Sequence, residues 1–87
     1  MKFVKAYLSE THRYWLGREE ESGRPFLGIP MSNSMIDYIE YYWLTLDQYE
    51  EFAVDEHACA AFADACRRRD RDELLVYQPG PDRGVPS

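Results

Sequence analysis

Thr45-Leu-Asp-Gln48 stands directly behind the run Ile36-Asp-Tyr-Ile-Glu-Tyr-Tyr-Trp-Leu44, and together they set a change from strand to helix at one point of the chain. The run is rich in β-branched and aromatic residues and reads as a strand. In the quartet, the threonine hydroxyl can accept from a first-turn amide while the Gln48 side chain reaches back, the pattern of a capping box. Leu44 and Tyr49 flank it at the positions of a hydrophobic staple. The pattern predicts a helix beginning at Leu46, with Leu46, Tyr49, Phe52 and Ala53 inward and Asp47, Glu50, Glu51 and Val54 on the opposite side. Asp55 can cap a second helix over 56–69, with acids near its start and Arg67-Arg68-Arg69 at its end, as the helix dipole favours. Its apolar stripe is Ala58, Cys59, Phe62, Ala65 and Cys66.

Before this pair of helices the chain reads as strands. Phe3-Val-Lys-Ala-Tyr-Leu8 is one, and Arg13 to Gly17 a second. Arg18 to Arg24 forms an exposed turn, and Phe26 to Met31 returns, with Pro25 and Pro30 expected to confine it to an edge or a short pairing. Met31-Ser-Asn-Ser34 is a loop. After the helices, Glu73-Leu-Leu-Val-Tyr-Gln78 is expected to close the sheet, and the Pro/Gly-rich residues 79–87 to form a mobile tail. Strands, then two consecutive helices, then a strand imply a single α+β domain over residues 1–78. Its sheet is small, of three to five mostly antiparallel strands, with both helices on one face.

Along 36–44 the alternation assigns two faces. One carries Ile39, Tyr41 and Trp43; the other carries Tyr38, Glu40 and Tyr42. A central glutamate marks the second face as the wet one, which sends the first to the core. Phe3, Tyr7, Tyr14, Trp15, Phe26, Trp43, Phe52 and Phe62 are the further rings expected to supply buried area. A core of this kind is needed, because a chain of 87 residues buries a smaller fraction of its surface than a larger domain does.

The formal charge of −6 is unevenly distributed. Between Pro25 and Cys66 there are eight acids and no Lys or Arg, a local charge of −8, whereas the rest holds all ten bases and eight acids, or +2. Such a field repels nucleic acid and anionic membranes and attracts a basic partner. No apolar run is long enough to cross a bilayer and none follows the first residues as a signal would, so a cytoplasmic location is expected. Cys59 and Cys66 lie seven apart on a predicted helix, about 10 Å along its axis. A disulfide needs Cα atoms within about 7 Å. Both are therefore expected to be reduced.

Catalytic patterns are sparse. His12 and His57 are the only histidines, and neither is accompanied by a glycine-framed nucleophile or a Ser/His/Asp grouping. Asp55, His57 and Cys59 carry metal-capable atoms, but side chains at i and i+2 of a helix diverge, so no metal and no cofactor is expected. Arg67, Arg68, Arg69 and Arg71 are interleaved with Asp70, Asp72 and Glu73, a poor basic patch, and direct nucleic-acid binding is not expected. Exposed tyrosines and clustered carboxylates suit recognition of a cationic protein surface. Tyr38, Glu40, Tyr42, Asp47, Glu50 and Glu51 are the candidate partner-binding residues.

The segment from Tyr41 to Pro86 resembles small acidic bacterial immunity proteins of polymorphic-toxin and contact-dependent inhibition systems. The likeness lies in a strand ending in a Tyr-rich stretch, the capped "LTLDQYEEF" helix, an alanine-rich helix and "ELLVYQPG". That resemblance implies a cytoplasmic, non-enzymatic protein that binds and neutralises a cognate toxin domain, often a basic nuclease. It transfers no individual residue. Three other readings stay open at this point: a nucleic-acid-mimicking inhibitor of a restriction or CRISPR complex, a homodimer that buries the exposed rings, and a small enzyme using His12 or His57.

Overall fold

The alternation of large apolar side chains along three adjacent strands builds the sheet. In the computed structural model, which describes residues 1–87, β1 (Phe3–Ser9), β2 (Tyr14–Glu19), β3 (Pro25–Ser32) and β4 (Asp37–Trp43) form an antiparallel meander in that order. Helices α1 (Leu46–Val54) and α2 (Glu56–Arg67) follow, then a 3-10 turn (Asp72–Leu74) and a short β5 (Val85–Pro86) that pairs with β3. The architecture is the expected α+β fold, a sheet with two consecutive helices. No helix is long and apolar enough to cross a membrane.

The change of element after Trp43 is made as the residues predict. Thr45 Oγ1 accepts from the Gln48 N–H at 3.1 Å, and Gln48 Oε1 accepts from the Thr45 N–H at 2.8 Å. Asp55 ends α1 by donating its N–H to the Glu51 carbonyl, and starts α2 by accepting from the Ala58 N–H at 3.0 Å. A single residue thus serves both helices. Leu16, Leu27, Ile29 and Tyr42 from the sheet meet Phe52, Cys59, Ala63 and Cys66 from the helices in one core. Leu46, predicted inward, is instead about half exposed, because the helix turns that position past the edge of the core.

Three strand expectations are corrected. Pro25 and Pro30 do not push their strand to an edge: β3 is central, with β2 and β4 on either side. Pro25 opens the strand. Pro30 lies beyond the last β2–β3 pair, Trp15 with Gly28, so its missing N–H interrupts no β2–β3 pair. Its carbonyl faces β5 and accepts from the Ser87 N–H at 3.1 Å. Residues 73–78 do not form a strand. They make the 3-10 turn and one bridge, Leu75 to Tyr42, with the Val76 N–H on the Tyr41 carbonyl. Finally, residues 83–87 do not form a free tail, since β5 lies beside β3 at Met31 and Ser32. Gly84 is buried there, and a Cβ on it would stand 2.3 Å from the Ser32 carbonyl oxygen.

The face of β4 assigned to the core is the other one. Tyr42 is fully buried beneath the helices and Glu40 is 7 % exposed, whereas Ile39, Tyr41 and Trp43 are half-buried on the opposite side. That side has its own ring layer. Phe3 stacks on Tyr41 at 3.9 Å and meets Phe26 edge-on at 5.1 Å, the Arg24 guanidinium lies 4.0 Å over Trp43, and Lys5 Nζ lies 4.4 Å over Trp15. Gly17 leaves the room that this layer and the bulge of β1 need, since a Cβ there would be 2.0 Å from the Val4 carbonyl oxygen. Only the end of β1 reaches a helix, where the buried Ser9 hydroxyl donates to Glu56 of α2 at 2.6 Å, and Val4, Tyr7 and Leu8 are exposed.

The β2–β3 turn is closed by one carboxylate. Glu19 accepts from the N–H groups of Glu21 and Ser22 at 2.9 Å and from the Ser22 hydroxyl at 2.7 Å. These bonds hold its pKa at about 2, against an ordinary 4.5. A depressed folded-state pKa contributes stability that is present above the ordinary value and lost as the pH falls through 4.5 towards 2. Urea unfolding followed from about pH 5 to about pH 2 should therefore show a steeper loss of stability in the wild type than in Glu19→Gln. Equal slopes would show that the carboxylate does not organise this turn.

Candidate functional site

The largest concentration of buried charge lies where the C-terminal segment meets β4. Glu40 is carried to the core side of the sheet by the same alternation that buries Tyr42. There Arg83 answers it: Nε donates to Glu40 Oε2 at 2.7 Å and Nη2 to Oε1 at 3.1 Å. The other edge of the guanidinium donates to Asp72, Nη1 to Oδ2 at 2.8 Å and Nη2 to Oδ1 at 3.0 Å. The Tyr42 hydroxyl donates to Glu40 Oε1 at 2.8 Å and also contacts the Cys66 carbonyl at 3.3 Å. No buried side-chain nitrogen or oxygen is left without a partner. The paired carboxylates hold the guanidinium protonated, and the bonds from Arg83 lower the pKa of Asp72.

This cluster removes two of the six candidate contact residues from the surface. Glu40 and Tyr42 are interior, and Tyr38 is half-buried with its hydroxyl accepting from the Gly84 N–H at 2.7 Å. The wet-face assignment is thus corrected. A glutamate signals solvent only if no cation reaches it, and here one does. Arg83 lies 43 residues further along in a Pro/Gly-rich stretch, with no local pattern to announce it.

Asp47, Glu50 and Glu51 are where the helical spacing puts them. All three are exposed, and none takes part in a salt bridge or a side-chain hydrogen bond within the protein. The last turn of α1 has no basic residue, so Glu51, at the start of that turn, sits there without a compensating cation. The helix dipole disfavours an acid there, and all three carboxylates stay unpaired. Between them stand exposed apolar side chains: Leu46 is 51 % and Val54 88 % exposed, in one i, i+4 row with Glu50. Tyr49, on the flank of α1, holds the Arg18 guanidinium 4.8 Å over its ring and lies 6.3 Å from Tyr7, which is itself exposed. Leu46, Val54 and Tyr7 thus supply the apolar surface that Tyr38 and Tyr42 were expected to provide. An exposed valine on the acidic side of α1 was visible in the spacing; a largely uncovered β1 was not.

The groups weighed for catalysis are placed as follows. His12 and His57 come together from the β1–β2 turn and the start of α2, with ring centroids 6.3 Å apart. No group of three or more His, Cys, Asp or Glu side chains is placed to hold a metal ion. Cys59 and Cys66 are free and buried, and burial pushes their pKa values up to about 11 and about 12. Both thiols therefore stay protonated at neutral pH. The arginines at the end of α2 are engaged internally: Arg67 donates to the His12 and Arg13 carbonyls and pairs with Asp64 at 2.8 Å, and Arg68 pairs with Asp70 at 3.1 Å. In comparisons with known proteins, no family model matches the chain, and neither a curated protein nor a solved structure matches it.

The buried cluster carries its own test. Removing Arg83 alone leaves Glu40 buried without its cation, a change worth about 3 kcal/mol or more. Arg83→Met should lower the unfolding free energy measured in urea by that amount, and Glu40→Gln/Arg83→Met should recover part of it. A single variant as stable as wild type would mean that the guanidinium is solvated and not part of the core.

Proposed function

We propose that the protein is a non-enzymatic, cytoplasmic immunity protein that binds and neutralises a basic toxin domain through the outer face of α1. The supporting observation is the composition of that face. Asp47, Glu50 and Glu51 are exposed and unpaired, Glu51 where the helix dipole disfavours an acid, and they alternate with exposed Leu46 and Val54. Local stability does not explain this arrangement. Docking a cationic surface does: carboxylates speed encounter and reject wrong partners, and apolar side chains between them supply contact area. The charge distribution also bears on direct nucleic-acid binding. The basic residues beside the sheet's ring layer, Lys5 and Arg24, already lie over Trp15 and Trp43, so the ring faces that nucleobases would use are occupied.

The reading makes a kinetic prediction. Binding to the toxin domain encoded beside the gene should be steered by the α1 carboxylates, so Asp47→Ala/Glu50→Ala/Glu51→Ala should slow association by about tenfold at low salt. The control Glu10→Ala/Glu73→Ala, which removes exposed acids elsewhere, should change it far less. Stopped-flow fluorescence at two ionic strengths reads both. Equal effects of the two variants, or none, would move the interface away from α1.

A further inference from the structure

The segment that runs beside β4 stops acting as its neighbour at Tyr77. Up to Val76 it occupies the place of an adjacent strand, through the Leu75–Tyr42 bridge and the Val76 N–H on the Tyr41 carbonyl at 2.9 Å. Residues 77–82 then arch away, and the chain returns only where Arg83 is clamped. What remains beside the first half of β4 is a cleft of about 400 Å³. Ile36, Ile39 and Tyr41 line it from one side, and Leu75, Tyr77 and Pro81 from the other.

Register determines which backbone groups look into this cleft. Pro30 turns its carbonyl to β5, where it accepts from the Ser87 N–H, so the facing pair Pro30–Ile39 exchanges no ladder hydrogen bonds. Ile39 therefore directs both its N–H and its C=O outward, to the same side as the Tyr41 carbonyl, and neither group has a partner within the protein. An edge with unpaired donor and acceptor is a template for one more strand. The other free edge, β1, is blunted by its bulge and by Lys5, the devices that keep edges from pairing. The β4 edge has neither a bulge nor a lysine.

We infer that this cleft is a peptide-binding site, in which an extended segment of a partner protein, alternating apolar and basic residues, adds to the sheet along Asp37–Tyr41. Backbone pairing to Ile39 gives the segment its direction, and alternate side chains enter the apolar walls. Charge adds to the selection. Asp82 lines the cleft and Asp37 stands two residues before Ile39, both exposed and without an ion pair, while the one base at the site, Arg83, is already held by Glu40 and Asp72. The site is separate from the α1 face and does not depend on its role.

The test is an NMR titration of the isotopically labelled protein with a capped Lys-Val-Lys-Val-Lys-Val peptide. Amide signals of Asp37 to Tyr41 should move, and the Ile39 N–H should exchange about tenfold more slowly with peptide bound. Two changes should abolish the response. One is N-methylation of alternate peptide amides. The other is Ile39→Pro, which removes the outward donor at an edge position where proline is tolerated and should leave the circular dichroism spectrum unchanged. A Glu-Val peptide of the same length should not bind. No shift up to millimolar peptide, or a response that survives N-methylation, would overturn strand addition. Shifts of the same amides on raising the protein concentration alone would overturn it too, by identifying a second copy as the occupant.

Discussion

A carboxylate lies under the helices on the core face of β4, and the chain has to bring a cation to it. Unpaired, a buried glutamate costs more than a small domain can spare. Arg83 arrives from the far end of the chain and spans Glu40 and Asp72 in a fork that a lysine could not make. Several features follow from that one contact. The Tyr42 hydroxyl finds its acceptor, so a tyrosine can fill the centre of the core. Gly84 is drawn against the Ser32 carbonyl, where only a residue without a Cβ fits. Residues 85–87 are delivered to the half of β3 that β2 does not reach. The arch over 77–82, and the cleft beneath it, are what is left of the path between Val76 and Arg83.

The clamp also sorts the charges. It draws Glu40 and Asp72 out of the field, as the turn does with Glu19, while Asp64 and Asp70 are paired to arginines on or just after α2. Among the carboxylates that remain free, those of α1 are concentrated on one side of a short helix. Lys5 and Arg24 lie against the ring layer on the sheet's other face. A uniform count of −6 thus becomes a molecule with a distinctly acidic helical side. That polarity comes from topology as much as from composition.

Local rules were legible and long-range ones were not. The capping box at Thr45, the shared cap at Asp55, the first four strands to within a residue or two and the outward acids of α1 depend on near neighbours, and each stands where spacing puts it. The face of β4 was misread because both sheet surfaces are apolar. With helices on one side and rings on the other, hydrophobic alternation has no contrast, and the single polar residue decides the assignment. That residue was compensated from 43 positions away. Pro30 misled in a similar manner: proline excludes a donor, but the ladder has a position where none is required. The Pro/Gly-rich C-terminus read as a tail because its order comes from Arg83, Gly84 and the Tyr38 hydroxyl, none of which forms a periodic pattern.

The docking of the C-terminal residues by the Arg83 clamp is the claim on which the buried tyrosine, the pairing of β5 with β3 and the cleft all stand. Backbone hydrogen exchange at Gly84 and Ser87 tests it most directly, since their N–H groups donate to the Tyr38 hydroxyl at 2.7 Å and the Pro30 carbonyl at 3.1 Å. Protection of both amides, well above that of an unstructured chain, is the predicted result. Exchange at the rate of a free peptide would contradict it.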